Sequence, residues 1–350
     1  MEAKEAHNAA LLDQHGRRVT YLRVSVTDRC NLCCRYCRDE KTPFIPHSNI
    51  LRFEEIEQII GVAVALGVRK IRFTGGEPFA RKGFLDFLKR VRKDFPQVIL
   101  KLTTNGTMLE DALDDLKGMG VSVNLSLDSL NRERFASITG RDLLPVVLKN
   151  MKRMLEMGIP LKINAVAMRG VNDGELFDLA SLAMDWPVDV RFIEFMPMGE
   201  GSIWSQSLFW SAGDILKAAR SFWTLEDNRI ERAGRERVLA NGAEELGPAA
   251  LWKLRDKDGR LSKGSFGLIT SVTQGFCASC NRLRLTAEGN LRTCLYDDRE
   301  YPVRDLLRCE GADAVRLAML NAVAEKPVGS EILSRRNGPV ALKRMSAIGG

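Results

Sequence analysis

The chain has 350 residues, a net charge of +7, eight cysteines and only three histidines. That length holds a full catalytic domain and a smaller second one, and no run of about 18 apolar residues is present to form a membrane span. Glu2, Glu5 and Asp13, with no apolar core between them, argue against a secretory signal, so a cytoplasmic enzyme or binding protein is expected.

Strand-like runs at about 20–27, 70–74, 98–103, 121–127, 161–167 and 189–195 alternate with helical patterns such as 53–66 and 83–93. Alternating strand and helix predicts parallel βα units. Six such units make an α/β fold of the partial (β/α)6 TIM type rather than a closed eight-stranded barrel. The expected organisation is an N-terminal extension at 1–19, the barrel at 20–225 and a smaller C-terminal α+β domain at 226–350 that closes the open side. Near the junction, the Gly-rich Met198-Gly199-Glu200-Gly201 leads into a helix at about 211–221. Ser211 is its expected N-cap, with Asp214 at the capping-box position. A further helix is expected near 312–325.

Read at period two, one face of the strands carries Arg23, Ser25 and Thr27, then Arg72 and Thr74, Lys101 and Thr103, Asn124 and Ser126, and Lys162 and Asn164. The opposite parity is mostly aliphatic or aromatic. Strands covered by helices have no dry place for lone charges. For any single residue, internal ion pairing with Glu77, Asp128 or Glu194 is the alternative explanation. For the set, a wet basic cavity that receives a polyanion, such as a triphosphate, is the better account. Elsewhere the positive charge is scattered over helical patterns and reads as a solvated surface, so neither nucleic acid nor membrane is an expected partner.

The cysteines form two tight groups plus Cys309, which suits metal ligation in a reducing compartment better than a disulfide framework. His7, His15 and His47 all fall in loop or tail sequence and offer little for imidazole ligation or nucleophile activation. Cys30, Cys34 and Cys37 follow the first strand. Three thiolates are one fewer than a closed zinc site or an ordinary cubane cluster needs, so the loop points to a cluster with one iron left open. Cys33 adds two overlapping CxxC pairs and keeps a zinc or redox site in view, although cysteines this close make an awkward four-ligand cage. Thr74-Gly75-Gly76-Glu77-Pro78 follows the second strand, and its paired glycines let the backbone turn sharply and approach a ligand.

The second group is Cys277 and Cys280, with Cys294 brought back by a hairpin turn at Ala287-Glu288-Gly289-Asn290. Cys309 would be the fourth ligand of a zinc ribbon; with a second open cluster it becomes a buried helix thiol. If Cys280 begins the next strand, Arg282 and Arg284 share a face with it, where guanidinium groups can grip phosphate oxygens or a base edge.

The Cys30/Cys34/Cys37 loop resembles the CxxxCxxC loop of the radical S-adenosylmethionine (SAM) superfamily, and Gly75 to Pro78 resembles its SAM-binding GGEP. From about residue 20 onward the chain is similar to the GTP 3′,8-cyclases, also called the molybdenum cofactor biosynthesis protein A family. The similarity runs through Leu22 to Cys37, Lys70 to Pro78, Thr103-Thr104-Asn105-Gly106, Asn124 to Leu130, Lys162-Ile163-Asn164, Arg191 to Pro197, Phe276 to Thr286 and the terminal Gly349-Gly350.

The resemblance implies two 4Fe-4S clusters, each with three cysteine ligands, the first bound by Cys30, Cys34 and Cys37 and the second by Cys277, Cys280 and Cys294. It also implies SAM contacts from Tyr36, Gly76, Ser126 and Met196, and GTP contacts from Arg23, Arg72, Thr103, Lys162, Arg282, Leu283 and Arg284. No side chain is implied as an acid or base. Radical generation at the SAM cluster would lead to hydrogen abstraction from ribose carbon 3′ and cyclisation onto guanine carbon 8, opening molybdenum cofactor biosynthesis.

A flavodoxin-type or other protein reductant, a downstream cyclic pyranopterin monophosphate synthase and a homodimer complete the expected associations, and the Gly349-Gly350 tail would reach the active site. The chain departs from the family at Arg38-Asp39-Glu40, where Met-Pro is usual, at the extra Cys33, and in lacking a histidine after Lys326-Pro327. A radical SAM enzyme acting on a peptide or another small molecule is the nearest rival; a non-catalytic zinc or iron-sulfur electron-transfer protein is the rival of a different class.

Overall fold

The computed structural model describes residues 10–38, 43–199, 202–227, 247–335 and 345–348. Asp39, Glu40 and the Gly349-Gly350 tail therefore lie outside the described residues. The strands are β1 (Tyr21–Ser25), β2 (Lys70–Thr74), β3 (Ile99–Thr104), β4 (Ser122–Ser126), β5 (Leu161–Ala167), β6 (Asp189–Glu194), β7 (Thr224–Asp227), β8 (Ala250–Arg255), β9 (Ser265–Ile269), β10 (Arg282–Leu285), β11 (Asn290–Arg292) and β12 (Tyr301–Pro302). Two compact units emerge. One comprises Met1–Val123, Pro197–Ile203 and Cys277–Gly350; the other comprises Asn124–Met196 and Trp204–Phe276.

In the first unit the strand order is β12-β11-β10-β1-β2-β3. β1 runs parallel to both β10 and β2, and β2 runs parallel to β3. Leu22, Val24, Ile71, Phe73, Leu100, Leu102, Leu283 and Leu285 occupy the alternate positions and are all buried. Their period of two is what makes these segments strands with one dry face. The helices Phe53–Ala65 and Phe84–Asp94 belong to that dry side. Phe87 stacks on Phe53 at 4.5 Å and meets Phe73 edge-on at 5.4 Å, and burying such a ring contributes about 1.5–3 kcal/mol.

Cys309 ends the helix Val303–Cys309 and is exposed. The expectation of a buried thiol fails there because the helix turns Val303 and Leu307 inward instead.

The second unit orders its strands β4-β5-β6-β9-β8-β7, with β4 entering from Asn124. β5 and β9 flank β6 in parallel, while β7, β8 and β9 form an antiparallel run. Leu161, Ile163, Ala165 and Ala167 give β5 its buried face. The expected helix spans Ala212–Arg220, and Ser211 Oγ accepts from Asp214 N at 3.2 Å. Asp214 does not complete the capping box; its carboxylate takes Arg169 Nη2 at 2.6 Å. Among the described residues no helix is long and apolar enough to cross a membrane.

Candidate active site

The loop that carries Cys30 is fastened to the Gly75-Gly76 turn by backbone alone. Gly76 N donates to Thr27 O at 2.7 Å and Glu77 N donates to Arg29 O at 2.7 Å. The approach leaves no space for a side chain: a Cβ on Gly76 would lie 2.2 Å from Arg29 O, and one on Gly75 2.3 Å from Thr27 O. Gly75 also has a φ of +147°, which favours glycine. Glu77 is fully buried and accepts from Phe79 N, Asn105 N and Thr104 Oγ1 at 2.8 to 3.2 Å. Burial pushes its carboxyl up to about 7, against the pull of those donors.

Sulfur chemistry separates the cysteines of this loop. Cys30 Sγ accepts from Leu32 N at 3.4 Å and from Asn105 Nδ2 at 3.6 Å, an environment that suits a ligating thiolate. Burial raises its thiol when no metal is bound, with those two donors opposing. Cys33 Sγ instead donates to Arg38 O at 3.7 Å, as a protonated thiol does. A turn between Cys34 and Cys37 is closed by Cys37 N to Cys34 O at 2.8 Å.

In the second set, Cys280 N donates to Cys277 O at 3.2 Å and Tyr296 N donates to Cys294 Sγ at 3.4 Å. A Cβ on Gly329 would lie 2.8 Å from Cys294 Sγ and 3.3 Å from Cys277 Sγ. Those two sulfurs therefore face one space that only glycine leaves open. Among the described residues no three Cys, His, Asp or Glu side chains converge on a position for a single metal ion. Taken as ligands, Cys30, Cys34 and Cys37 and Cys277, Cys280 and Cys294 would form two all-sulfur, three-membered sets, a donor chemistry that fits a cluster larger than one ion better than a mononuclear cage.

The polar strand face forms two rows within the first unit. Register aligns Arg284, Arg23, Arg72 and Lys101 across β10, β1, β2 and β3. One step along, Arg282, Tyr21 and Lys70 form the second row. Arg72 Nη1 donates to Thr103 Oγ1 at 3.1 Å and to Leu102 O at 3.2 Å, so Thr103 and Arg72 share one hydrogen-bonded corner. Burial leads the causes that lower Arg284 to about 10, followed by repulsion from Arg282. Leu283 is fully buried with the opposite parity, so it has only backbone to offer on this face.

In the second unit, Lys162 Nζ is 3.1 Å from Asp189, its cross-strand neighbour. Its ion pair is thus with the next strand, a partner that the sequence reading did not name. Arg191 Nε donates to Asn164 Oδ1 at 3.0 Å. Gly267 makes room for Arg191, since a Cβ there would lie 2.8 Å from Arg191 Cγ. Glu194 is used locally, accepting from Ala212 N, Val272 N, Thr273 N and Thr273 Oγ1 at 2.7 to 2.9 Å. Ser126 ends β4 and Met196 follows β6, both half-buried.

Tyr21 and Arg191 are the residues that sequence reasoning passed over. Both lie on the polar parity of their strands, and a strict period-two count that included Asp189 and Arg191 would have found the second.

Residues 24–183 match the Radical SAM superfamily and residues 188–332 match Molybdenum Cofactor Synthesis C. The GTP 3′,8-cyclase of Desulforamulus reducens is 40% identical over 322 residues, covering 91% of this chain and 94% of its own. That of Petrotoga mobilis is 39% identical over 343 residues, covering 97% of this chain and 100% of its own. The chain belongs to the GTP 3′,8-cyclase family.

Among solved structures, Streptococcus suis SuiB bound to S-adenosylmethionine superposes with a TM-score of 0.60 at 14% identity, covering 96% of this chain and 71% of that one. The structure of anSMEcpe with bound AdoMet gives 0.53 at 14% identity, covering 85% and 80%. These likenesses bear out the expected fold, a partial (β/α)6 barrel with a smaller auxiliary domain. Like other members of the superfamily, this member of the cyclase family is a SAM-dependent enzyme.

Proposed function

We propose that the chain catalyses the radical SAM cyclisation of GTP to (8S)-3′,8-cyclo-7,8-dihydroguanosine 5′-triphosphate, the first step of molybdenum cofactor biosynthesis. The observation that carries this reading is the row Arg284, Arg23, Arg72 and Lys101 on four adjacent strands. At the ~4.8 Å spacing of neighbouring strands the row is about 14 Å long, which suits a polyphosphate better than a single anionic group. Membership in the cyclase family gives that polyphosphate a chemical identity.

In this reading Cys30, Cys34 and Cys37 hold one 4Fe-4S cluster, and Cys277, Cys280 and Cys294 hold another. When bound, the first supplies the one-electron reduction of SAM on which radical chemistry depends. Gly76 presents bare backbone to SAM, with Tyr36, Ser126 and Met196 as its further contacts. Arg23, Arg72, Thr103, Lys162, Arg282 and Arg284, with the Leu283 backbone, orient GTP and balance its charge. Orientation and exclusion of water are the protein's contribution, because a misplaced radical destroys substrate or enzyme.

The reading includes a flavodoxin-type or other protein reductant, a cyclic pyranopterin monophosphate synthase acting next, a cytoplasmic setting and a homodimer. It keeps the division at 1–19, 20–225 and 226–350.

The test is anaerobic incubation of the reconstituted chain with SAM, reductant and GTP, followed by mass spectrometry. Formation of 5′-deoxyadenosine together with a GTP-derived cyclic product is expected. Tetrahedral zinc without iron or sulfide in anaerobically purified protein would sink the reading. Thermal stabilisation by GTP separates it from a peptide-modifying radical SAM enzyme.

A further inference from the structure

Lys326 is 1% exposed and follows the helix Ala312–Ala324. Its Nζ donates to Arg282 O at 2.9 Å and to Thr293 O. Arg282 comes two residues after Cys280, and Thr293 comes one before Cys294. The carbonyls of Lys326 and Pro327 in turn accept from Arg17 Nη2 at 2.9 and 3.0 Å. Arg17 Nη1 donates to Cys277 O at 2.8 Å, and Arg17 Nε is fixed by Asp13 at 2.6 Å. One buried lysine thus holds the chain beside two of the three cysteines, and the arginine that fixes it holds the third.

A charge taken out of water is costly unless something balances it. Arg17 has Asp13. Lys326 has only carbonyls as hydrogen-bond partners among the described residues, and those carbonyls belong to residues within two positions of Cys280 and Cys294.

We propose that Lys326 is a positioning residue: its buried ammonium supplies the counter-charge of the Cys277, Cys280 and Cys294 set and, through the carbonyls of Arg282 and Thr293, fixes the placement of those sulfurs. The proposal rests on the reading of that set as a cluster site. Three thiolates surround such a cluster with negative charge, and adding an electron increases it. A fixed cation in a low-dielectric setting therefore favours the reduced form. Lys326 raises the reduction potential of the second cluster relative to a neutral side chain, and Arg17 keeps it in place.

Lys326→Gln keeps an N–H donor for the two carbonyls and removes the charge, whereas Lys326→Arg keeps the charge. The full chain is reconstituted anaerobically, its iron and sulfide counted, and its clusters titrated by reductant under EPR. The first cluster is identified by the response of its signal to SAM. In the parent and in Lys326→Arg, two loaded clusters per chain are expected. In Lys326→Gln, the second cluster titrates at a lower potential or is lost, halving the iron, while the first keeps its SAM response.

Two loaded clusters with unchanged potentials in Lys326→Gln overturn the proposal. So does equal failure of both variants to fold, which would make the position a packing site. A parent chain that takes up only one cluster brings down the two-cluster reading itself, and this proposal with it.

Discussion

The Tyr21 hydroxyl on β1 accepts a hydrogen bond from Arg72 Nε on β2. Burial alone would raise this phenol, but Arg72, Arg23 and Arg282 outweigh it and bring it down from 10.0 to about 7. A phenolate here acts as an internal anion among cations that are proposed to receive a triphosphate. When a bound triphosphate takes over those cations, the phenol must climb back toward its ordinary range, so binding takes up a proton above pH 7. GTP affinity is expected to weaken as pH rises above about 7, by up to about tenfold per unit. Isothermal titration calorimetry in two buffers of different ionisation enthalpy measures the uptake. Comparison with Tyr21→Phe subtracts the titration of GTP's own terminal phosphate. Equal proton uptake in both chains would rule the phenol out.

The same phenol predicts a stability slope of opposite appearance. Its folded value lies below its unfolded one, so between about pH 7 and pH 10 the unfolded chain binds more protons and stability rises with pH. That contribution is lost as pH falls through 7. Urea melts of the parent and of Tyr21→Phe at pH 7 and pH 9 are expected to diverge with rising pH.

Arg72→Ala removes a guanidinium that reaches both rows and Thr103. A charge-assisted hydrogen bond contributes about 1.5–3 kcal/mol, so GTP binding is expected to weaken roughly 10- to 100-fold, with a shallower dependence on salt. Nucleotide titration at two ionic strengths checks this. SAM binding is expected to stay intact, because Arg72 belongs to the face assigned to GTP.

Gly76→Ala forces a Cβ to within 2.2 Å of Arg29 O and 2.7 Å of Asp28 O. Both obstacles are backbone, and neither can swing aside. A loss on the order of 3–5 kcal/mol, at the severe end for one residue, is expected in denaturant melts, together with loss of the first cluster. Full stability and normal iron content in this variant would refute the tight approach.

Glu77→Gln tests a buried carboxyl. With its folded value raised to about 7 by burial, Glu77 stabilises the fold most below its unfolded value of 4.5 and loses that contribution as pH rises through 7. Glutamine abolishes the slope. It also sets an amide NH2 against donors from Phe79, Thr104 and Asn105, which costs about 1–3 kcal/mol for a donor left unsatisfied. Melts of both chains at pH 5 and pH 8 should show a pH-dependent difference only in the parent.

Period-two alternation located β2 and β5 at their observed bounds because a strand with one dry face writes its pattern locally. The three-cysteine spacings and the paired glycines were legible for the same reason. The placement of β10 beside β1 was not: partners 261 residues apart, such as Tyr21 and Arg282, leave no local trace. Arg17 and Lys326 were invisible for a related reason, since each is defined by carbonyls it meets across about 260 or 40 residues. Cys309 shows the converse limit: its helix was legible, but which face that helix buries depended on the residues packed against it.

β1 is flanked on both sides, by β10 and by β2, and its own chain continues from Arg23 through Thr27 to Cys30 within seven residues. It thus serves as a ruler as well as a strand. The arginine proposed to grip the nucleotide and the thiol proposed to hold the first cluster are graduations on one short stretch of chain, so the distance between them cannot be adjusted at either end alone. A one-residue insertion between Arg23 and Cys30 would leave every functional side chain present and every hydrogen-bonding type available, yet set the two halves of the reaction out of phase.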